Sequence, residues 1–155
     1  MEEKAKRYEL VLKQVQALAA AETDAVARMA NVAALLHEEF HFWWTGFYRV
    51  LPSEKDGQGE VLVLGPFQGP VACMRIGFGR GVCGTAWAER RTVVVPDVEQ
   101  FPGHIACSSA SKSEIVVPVF GESGEVKAVL DIDSERLATF DAVDAEWLEK
   151  IVRGL

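Results

Sequence analysis

Cys73, Cys83 and Cys107 all fall within 35 residues of one another, and two of them stand among glycines and a proline. An isolated cysteine is ordinarily a small buried hydrophobe. A thiol that is oxidised during turnover has a different need: a second thiol nearby to convert its sulfenic acid into a disulfide. Three thiols around one site would supply a nucleophile, a resolver and a relay. Cys83 sits in the run Gly79-Arg80-Gly81-Val82-Cys83-Gly84, and Cys107 closes the run Phe101-Pro102-Gly103-His104-Ile105-Ala106-Cys107. Both settings predict exposure on loops. His104, three positions before Cys107, could favour a thiolate electrostatically.

The acids come next. Glu114 follows Cys107 by seven residues, and Asp131 and Asp133 alternate on a β-like segment. Alternation puts Asp131 and Asp133 on one strand face with Lys127 and Val129, and Val126, Ala128, Leu130 and Ile132 on the other. The plain reading is a solvated face. If the face lines a pocket instead, two neighbouring carboxylates and Glu114 could bind an ammonium group, and crowding would make one of them hold a proton. Trp44, Gly46 and Tyr48 share a face in the same way. They are either core or two pocket walls, with Gly46 leaving room between them.

Two other chemistries are suggested and set aside. Gly79-x-Gly81-x-x-Gly84, with Asp97 beyond it, matches the dinucleotide-binding fingerprint. The helix expected after it is only about two turns long, however, and no second βαβ unit follows. A tight loop presenting Cys83 is the better expectation. Cys73, Cys83, His104 and Cys107 could ligate a metal, yet their spacing is irregular and no Cys-x-x-Cys is present. Neither a metal nor an organic cofactor is expected.

The elements that must position these groups are legible from periodicity. Residues 2–20 carry apolar positions Tyr8, Val11, Leu12, Val15 and Leu18 at helical spacing. Glu22-Thr23-Asp24 reads as an interruption and the N-cap of a second helix with Val26, Met29, Ala33, Leu36 and Phe40 on one face. Aromatic and β-branched residues then predict a strand over 42–50, turn chemistry over 52–59 and a strand over 61–64. Gly65–Pro70 reads as a turn-rich connection, and 71–76 as a strand carrying Cys73. A short helix over 85–91, a strand over 92–95 and an irregular stretch over 96–112 follow, the last being of a length usually given to function. Two strands, 114–120 and 126–133, form a hairpin around Gly121-Glu122-Ser123-Gly124. A helix from about Asp141 closes the chain.

The fold class is therefore α+β: one domain over 1–155, with a mostly antiparallel sheet flanked by helices. Its parts are a helical stretch over 1–40, sheet and active-site loops over 42–134 and a terminal helix over 141–155. A 155-residue chain buries roughly 68–70% of its unfolded surface, enough for one core. The net charge of −7 disfavours nucleic acid, which demands clustered Lys and Arg. No apolar run is long enough to span a bilayer, and Met1-Glu2-Glu3-Lys4 begins no signal peptide. Free thiols in a reducing cytoplasm are expected.

Trp44-Thr45-Gly46-Phe47-Tyr48, Ala72-Cys73-Met74-Arg75-Ile76, Gly81-Val82-Cys83-Gly84-Thr85, Val95-Pro96-Asp97-Val98, Gly103-His104-Ile105-Ala106-Cys107, Ser111-Lys112-Ser113-Glu114 and Leu130-Asp131-Ile132-Asp133-Ser134 together resemble the free methionine-(R)-sulfoxide reductases, built on a single GAF-type domain. The Gly-His-Ile-Ala-Cys segment and cysteine steps of 10 and 24 residues are the specific part, which a generic GAF domain would not be expected to show. One departure is Ser108, where the family pattern leads one to expect an acidic residue. The resemblance implies a GAF-like fold, with Cys107 as nucleophile, Cys73 as the main resolving thiol and Cys83 as a second thiol. It implies that Glu114, Asp131 and Asp133 hold the substrate's amino group and sulfoxide, with Trp44 and Tyr48 around the methyl-sulfur end. It further implies thioredoxin as reductant, frequent homodimers and preference for the R epimer. The rival readings are a non-catalytic GAF sensor of a small ligand and a thiol redox switch without substrate.

Overall fold

The computed structural model describes residues 2–53, 55, 59–104 and 110–155. Two helices open the chain, α1 (Glu2–Ala21) and α2 (Ala25–Phe40). Asp24 begins α2 as its sequence suggests: its carboxylate accepts the Ala27 N–H at 2.9 Å, satisfying a donor that the helix itself leaves open. Strands β1 (Trp44–Ser53), β2 (Gly59–Gln68) and β3 (Arg75–Ile76) follow, then α3 (Gly81–Glu89) and β4 (Val93–Val95). A 3₁₀ turn (Val98–Gln100), β5 (Ser113–Phe120), β6 (Val126–Ser134) and α4 (Ala142–Val152) complete the domain. The strands form one six-stranded sheet in the order β3-β2-β1-β6-β5-β4, and every pairing is antiparallel. The fold is thus α+β with helices on an antiparallel sheet, as the periodicities predict.

Period-2 alternation sends the two faces of the sheet to two different cores. Phe47, Ile115, Val117, Val119, Ala128, Leu130 and Ile132 join Tyr8, Val11, Leu36 and Leu148 in a core beneath α1, α2 and α4. On the opposite face Trp44, Tyr48, Leu62, Val116 and Val129 pack with Val82, Cys83, Ala86 and Trp87 of α3. A buried staple ties the chain ends together on the first face. Tyr8 Oη donates to Asp144 Oδ1 at 2.5 Å, Lys4 reaches the other Asp144 oxygen at 2.8 Å, and Asp141 caps α4 through a capping box.

The structure corrects the element bounds at four places. Gly65–Gln68 is not a turn but the end of β2, paired to β1 through Gly46↔Phe67 and Thr45↔Gln68. The register slips between Gly46 and Tyr48, so β2 carries an extra residue there, and Pro66, which has no N–H to give, sits at that irregularity. The strand expected over 71–76 shrinks to Arg75–Ile76, because only Leu62↔Ile76 and Val63↔Arg75 pair. Cys73 therefore lies in an irregular segment. Finally α3 begins at Gly81 rather than near Thr85, with Gly84 N–H donating to the Arg80 carbonyl at 2.9 Å. Cys83 is consequently a buried helical residue, not a thiol offered on a loop.

The fourth correction concerns Val126. It packs with Val129 on the α3 side rather than with Ala128, Leu130 and Ile132. Pairing runs Val119↔Ala128 and then Phe120↔Val126, so Lys127 is bulged, and one extra residue flips the face of everything before it.

Candidate active site

Antiparallel register brings the acids together. β6 lies between β1 and β5, so Asp133 stands opposite both Trp44 and Glu114, and Asp131 stands opposite Gly46 and Val116. All three carboxyls face the α3 side of the sheet and line one cavity with Trp44, Tyr48, Cys83 and His104. The solvated-face alternative is overturned for Glu114 and Asp131, each only 6% exposed. Packing α3 and the 71–80 segment over the sheet encloses that face. Cys83 Sγ and carboxylate oxygens of Glu114 and Asp131 lie within 4.8 Å of one another, close enough for one small cationic group to touch all three.

Crowded, buried carboxyls cannot all stay ionised. Burial pushes the Glu114 carboxyl well above the usual carboxylate range, and the negative charges of Asp131 and Asp133 push it further. Asp133 is also raised well above that range by burial and by Asp131, while a hydrogen bond from Ser111 Oγ at 3.0 Å pulls the other way. Burial raises Asp131 as well, but Glu114, Cys83 and His104 all oppose that rise. Asp131 is accordingly the member best placed to carry the charge, and Glu114 the member best placed to keep a proton. Among the described residues no ion pair reaches any of the three, and Asp131 Oδ1 has no hydrogen-bond partner. A buried acceptor left open in this way is costly unless a ligand satisfies it.

The thiols divide. Burial raises the Cys83 thiol well above its ordinary value, and the Asp131 charge adds to this, so it stays protonated at neutral pH and is a poor nucleophile. Cys73, half-buried on the irregular segment, is disulfide-bonded rather than the free thiol the sequence leads one to expect, and its backbone carbonyl accepts Tyr48 Oη at 2.8 Å. Cys107 lies outside the described residues.

The aromatic wall is built differently from the sequence expectation. Gly46 does not leave room for a ligand. A Cβ there would stand 2.4 Å from Phe67 Cβ and 2.7 Å from the Trp44 ring, so the indole already fills that space. Gly69, at φ +133°, closes on the indole in the same way: a Cβ there would stand 2.7 Å from Trp44 Cδ1. Trp44 Nε1 donates to the Pro70 carbonyl at 2.9 Å, and the ring stacks on Phe67 with centroids 5.3 Å apart. Core and pocket wall prove to be one role: Trp44 is 3% and Tyr48 2% exposed, yet both border the cavity. Gly46→Ala is expected to destabilise the domain by about 1–3 kcal/mol through overpacking. Urea unfolding measures that loss, and an unchanged midpoint would mean that the indole repacks freely.

Three contributors escape sequence reading: Trp43, Arg80 and Ser111 also line the cavity. Ser111 precedes β5, and only the hairpin register discloses that its hydroxyl meets Asp133.

Comparison with known proteins follows this geometry. Residues 19–155 match the GAF domain family. The chain is 45% identical over 140 residues to the free methionine-R-sulfoxide reductase of Escherichia coli, covering 90% of this chain and 80% of that protein. It is 41% identical over 150 residues to the Saccharomyces cerevisiae enzyme of the same name, covering 94% and 81%. The crystal structure of free methionine-R-sulfoxide reductase from Neisseria meningitidis in complex with its substrate superposes with a TM-score of 0.89 at 54% identity, covering 96% of this chain and 86% of that one.

Proposed function

The chain belongs to the GAF-domain free methionine-R-sulfoxide reductases and is an oxidoreductase, and on that premise we propose that it reduces free L-methionine-(R)-sulfoxide to L-methionine through cysteine chemistry recycled by thioredoxin. The observation that carries the substrate assignment is the buried acidic cluster, which no ion pair reaches among the described residues. An α-ammonium group supplies the missing charge. A methionine inside a peptide has lost that charge to the amide and would leave Asp131 buried and uncompensated, so discrimination for the free amino acid follows from desolvation. Trp44 and Tyr48 give the methyl-sulfur end an apolar wall.

In the proposed cycle the Cys107 thiolate attacks the sulfoxide sulfur while a carboxyl of the cluster protonates the oxygen. That oxygen ends on Cys107 as sulfenic acid, and the sulfoxide leaves as the sulfide, methionine. The Cys73 thiolate then attacks the Cys107 sulfur. An S–S bond forms, the S–O bond breaks, and the departing hydroxide takes a proton to become water. Thioredoxin's dithiol reduces the disulfide and is itself oxidised. Cys83 is a second thiol of the site, which would have to give up its proton before it could enter the exchange in place of Cys73.

A thioredoxin-coupled assay on free R, free S and peptide-bound methionine sulfoxide tests the reading. Turnover confined to the free R form is the expected result. No turnover of that form overturns it.

A further inference from the structure

The sequence casts Tyr48 as core or as pocket wall, but its hydroxyl has a different engagement. It crosses the cavity from β1 and donates to the backbone carbonyl of Cys73 at 2.8 Å, the residue itself being 2% exposed. Cys73 stands in a segment, 71–74, with no helix or strand of its own. Flanking positions Val71 and Met74 are 89% and 74% exposed, so packing does little to hold this piece of chain. Its backbone anchors are Leu64 N–H to the Met74 carbonyl at 2.9 Å, just before β3, and Pro70, whose carbonyl accepts the Trp44 indole N–H at 2.9 Å. Between those two points Cys73 is disulfide-bonded in this structure, and Tyr48 Oη holds its backbone carbonyl in that bonded position. Its ring is held in turn, stacked on Trp44 with centroids 6.0 Å apart.

We propose that Tyr48 is a positioning residue for the resolving thiol: its hydroxyl sets the Cys73 backbone where its sulfur can reach an oxidised nucleophile. The inference rests on the reading of Cys73 as resolver given above. The affected step is attack by the Cys73 thiolate on the Cys107 sulfenic sulfur, forming the S–S bond and releasing hydroxide, which is protonated to water. The preceding oxygen transfer from the sulfoxide to Cys107 does not involve the Cys73 backbone. Tyr48 therefore separates two steps that a general loosening of the fold would slow together. A thiol displaced by about 1 Å from its reacting partner loses rate by as much as about 10²-fold.

Single-turnover experiments without reductant read both steps. Prereduced Tyr48→Phe protein is mixed with free methionine-(R)-sulfoxide, methionine release is followed, and Cys107 sulfenic acid is trapped with a dimedone-type reagent. The expected result is disulfide closure slowed by about tenfold or more beyond any change in methionine release, with sulfenic acid trapped on Cys107. The methionine burst amplitude counts the folded sites, so partial unfolding of the variant does not obscure the rates. Disulfide closure at the wild-type rate overturns the inference. Equal slowing of methionine release and closure also overturns it, placing the hydroxyl on substrate instead. Failure of wild type itself to release methionine would overturn the parent reading and is recognised in the same trace.

Discussion

Cys107→Ser is expected to lower turnover of free methionine-(R)-sulfoxide by at least about 10³–10⁴-fold, the scale of loss when a covalent nucleophile is removed. A serine hydroxyl ionises far above neutrality, and an oxygen nucleophile cannot accept the sulfoxide oxygen as a sulfenic acid does. Cys83→Ser provides the contrast. That thiol is buried and raised well above its ordinary value, first by its burial and then by Asp131, so it is a poor attacking group at neutral pH. Its replacement should leave the first methionine release largely intact. Cys73→Ser should release about one methionine per site and then stall, unless Cys83 takes over the resolving role. Coupled turnover and single-turnover product counts on the three variants distinguish these outcomes. Full activity in Cys107→Ser would show that the nucleophile has been misassigned.

Glu114→Gln is expected to reduce kcat/KM by about 10²–10⁴-fold, the usual worth of a positioned general acid. The sign of the accompanying pH effect follows from the structure. Glu114 is raised well above the carboxylate range, by burial first and then by Asp131 and Asp133. Only its protonated form can donate to the sulfoxide oxygen. Wild-type kcat/KM should accordingly hold below that raised value and decline as pH rises through it. The glutamine variant keeps the shape and loses the acid, so its residual rate should lack this descending limb. A limb that persists unchanged in the variant would assign the proton to another group, with Asp133, itself raised by burial and by Asp131, the next to test. Asp131 is expected to behave differently, because in the proposed reading it carries charge for the ammonium: Asp131→Asn should act mainly on KM.

Much of this site can be read along the chain because its parts are local. Helix starts depend on a few neighbouring residues, and α2 and α4 begin close to where the sequence puts them, each capped by an aspartate. The alternation that sets Asp131 and Asp133 on one face needs only the period of a strand. The failures share a cause of their own. Gly65–Gln68 is rich in turn residues yet extends β2, because pairing with β1 outweighs local preference once a bulge accommodates Pro66. Cys83 looks exposed among glycines but is buried, since those residues start a helix that packs on the sheet. Val126 changes face through a single bulged residue, which periodicity cannot anticipate.

By itself the sequence determined the α+β class, the helices and strands, the identities of the thiols and acids, and through its motifs the resemblance to one reductase family. These are properties of residue type and short spacing. Tertiary structure alone decided that Glu114 stands opposite Asp133, that α3 encloses the acidic face, and that one member of the cluster must therefore hold a proton. It also decided that the space beside Gly46 belongs to the Trp44 indole and that Tyr48 is bonded to Cys73. Each depends on the register and burial of segments far apart in the chain, and both the carboxyl proton affinities and the pocket shape are consequences of burial rather than of residue type.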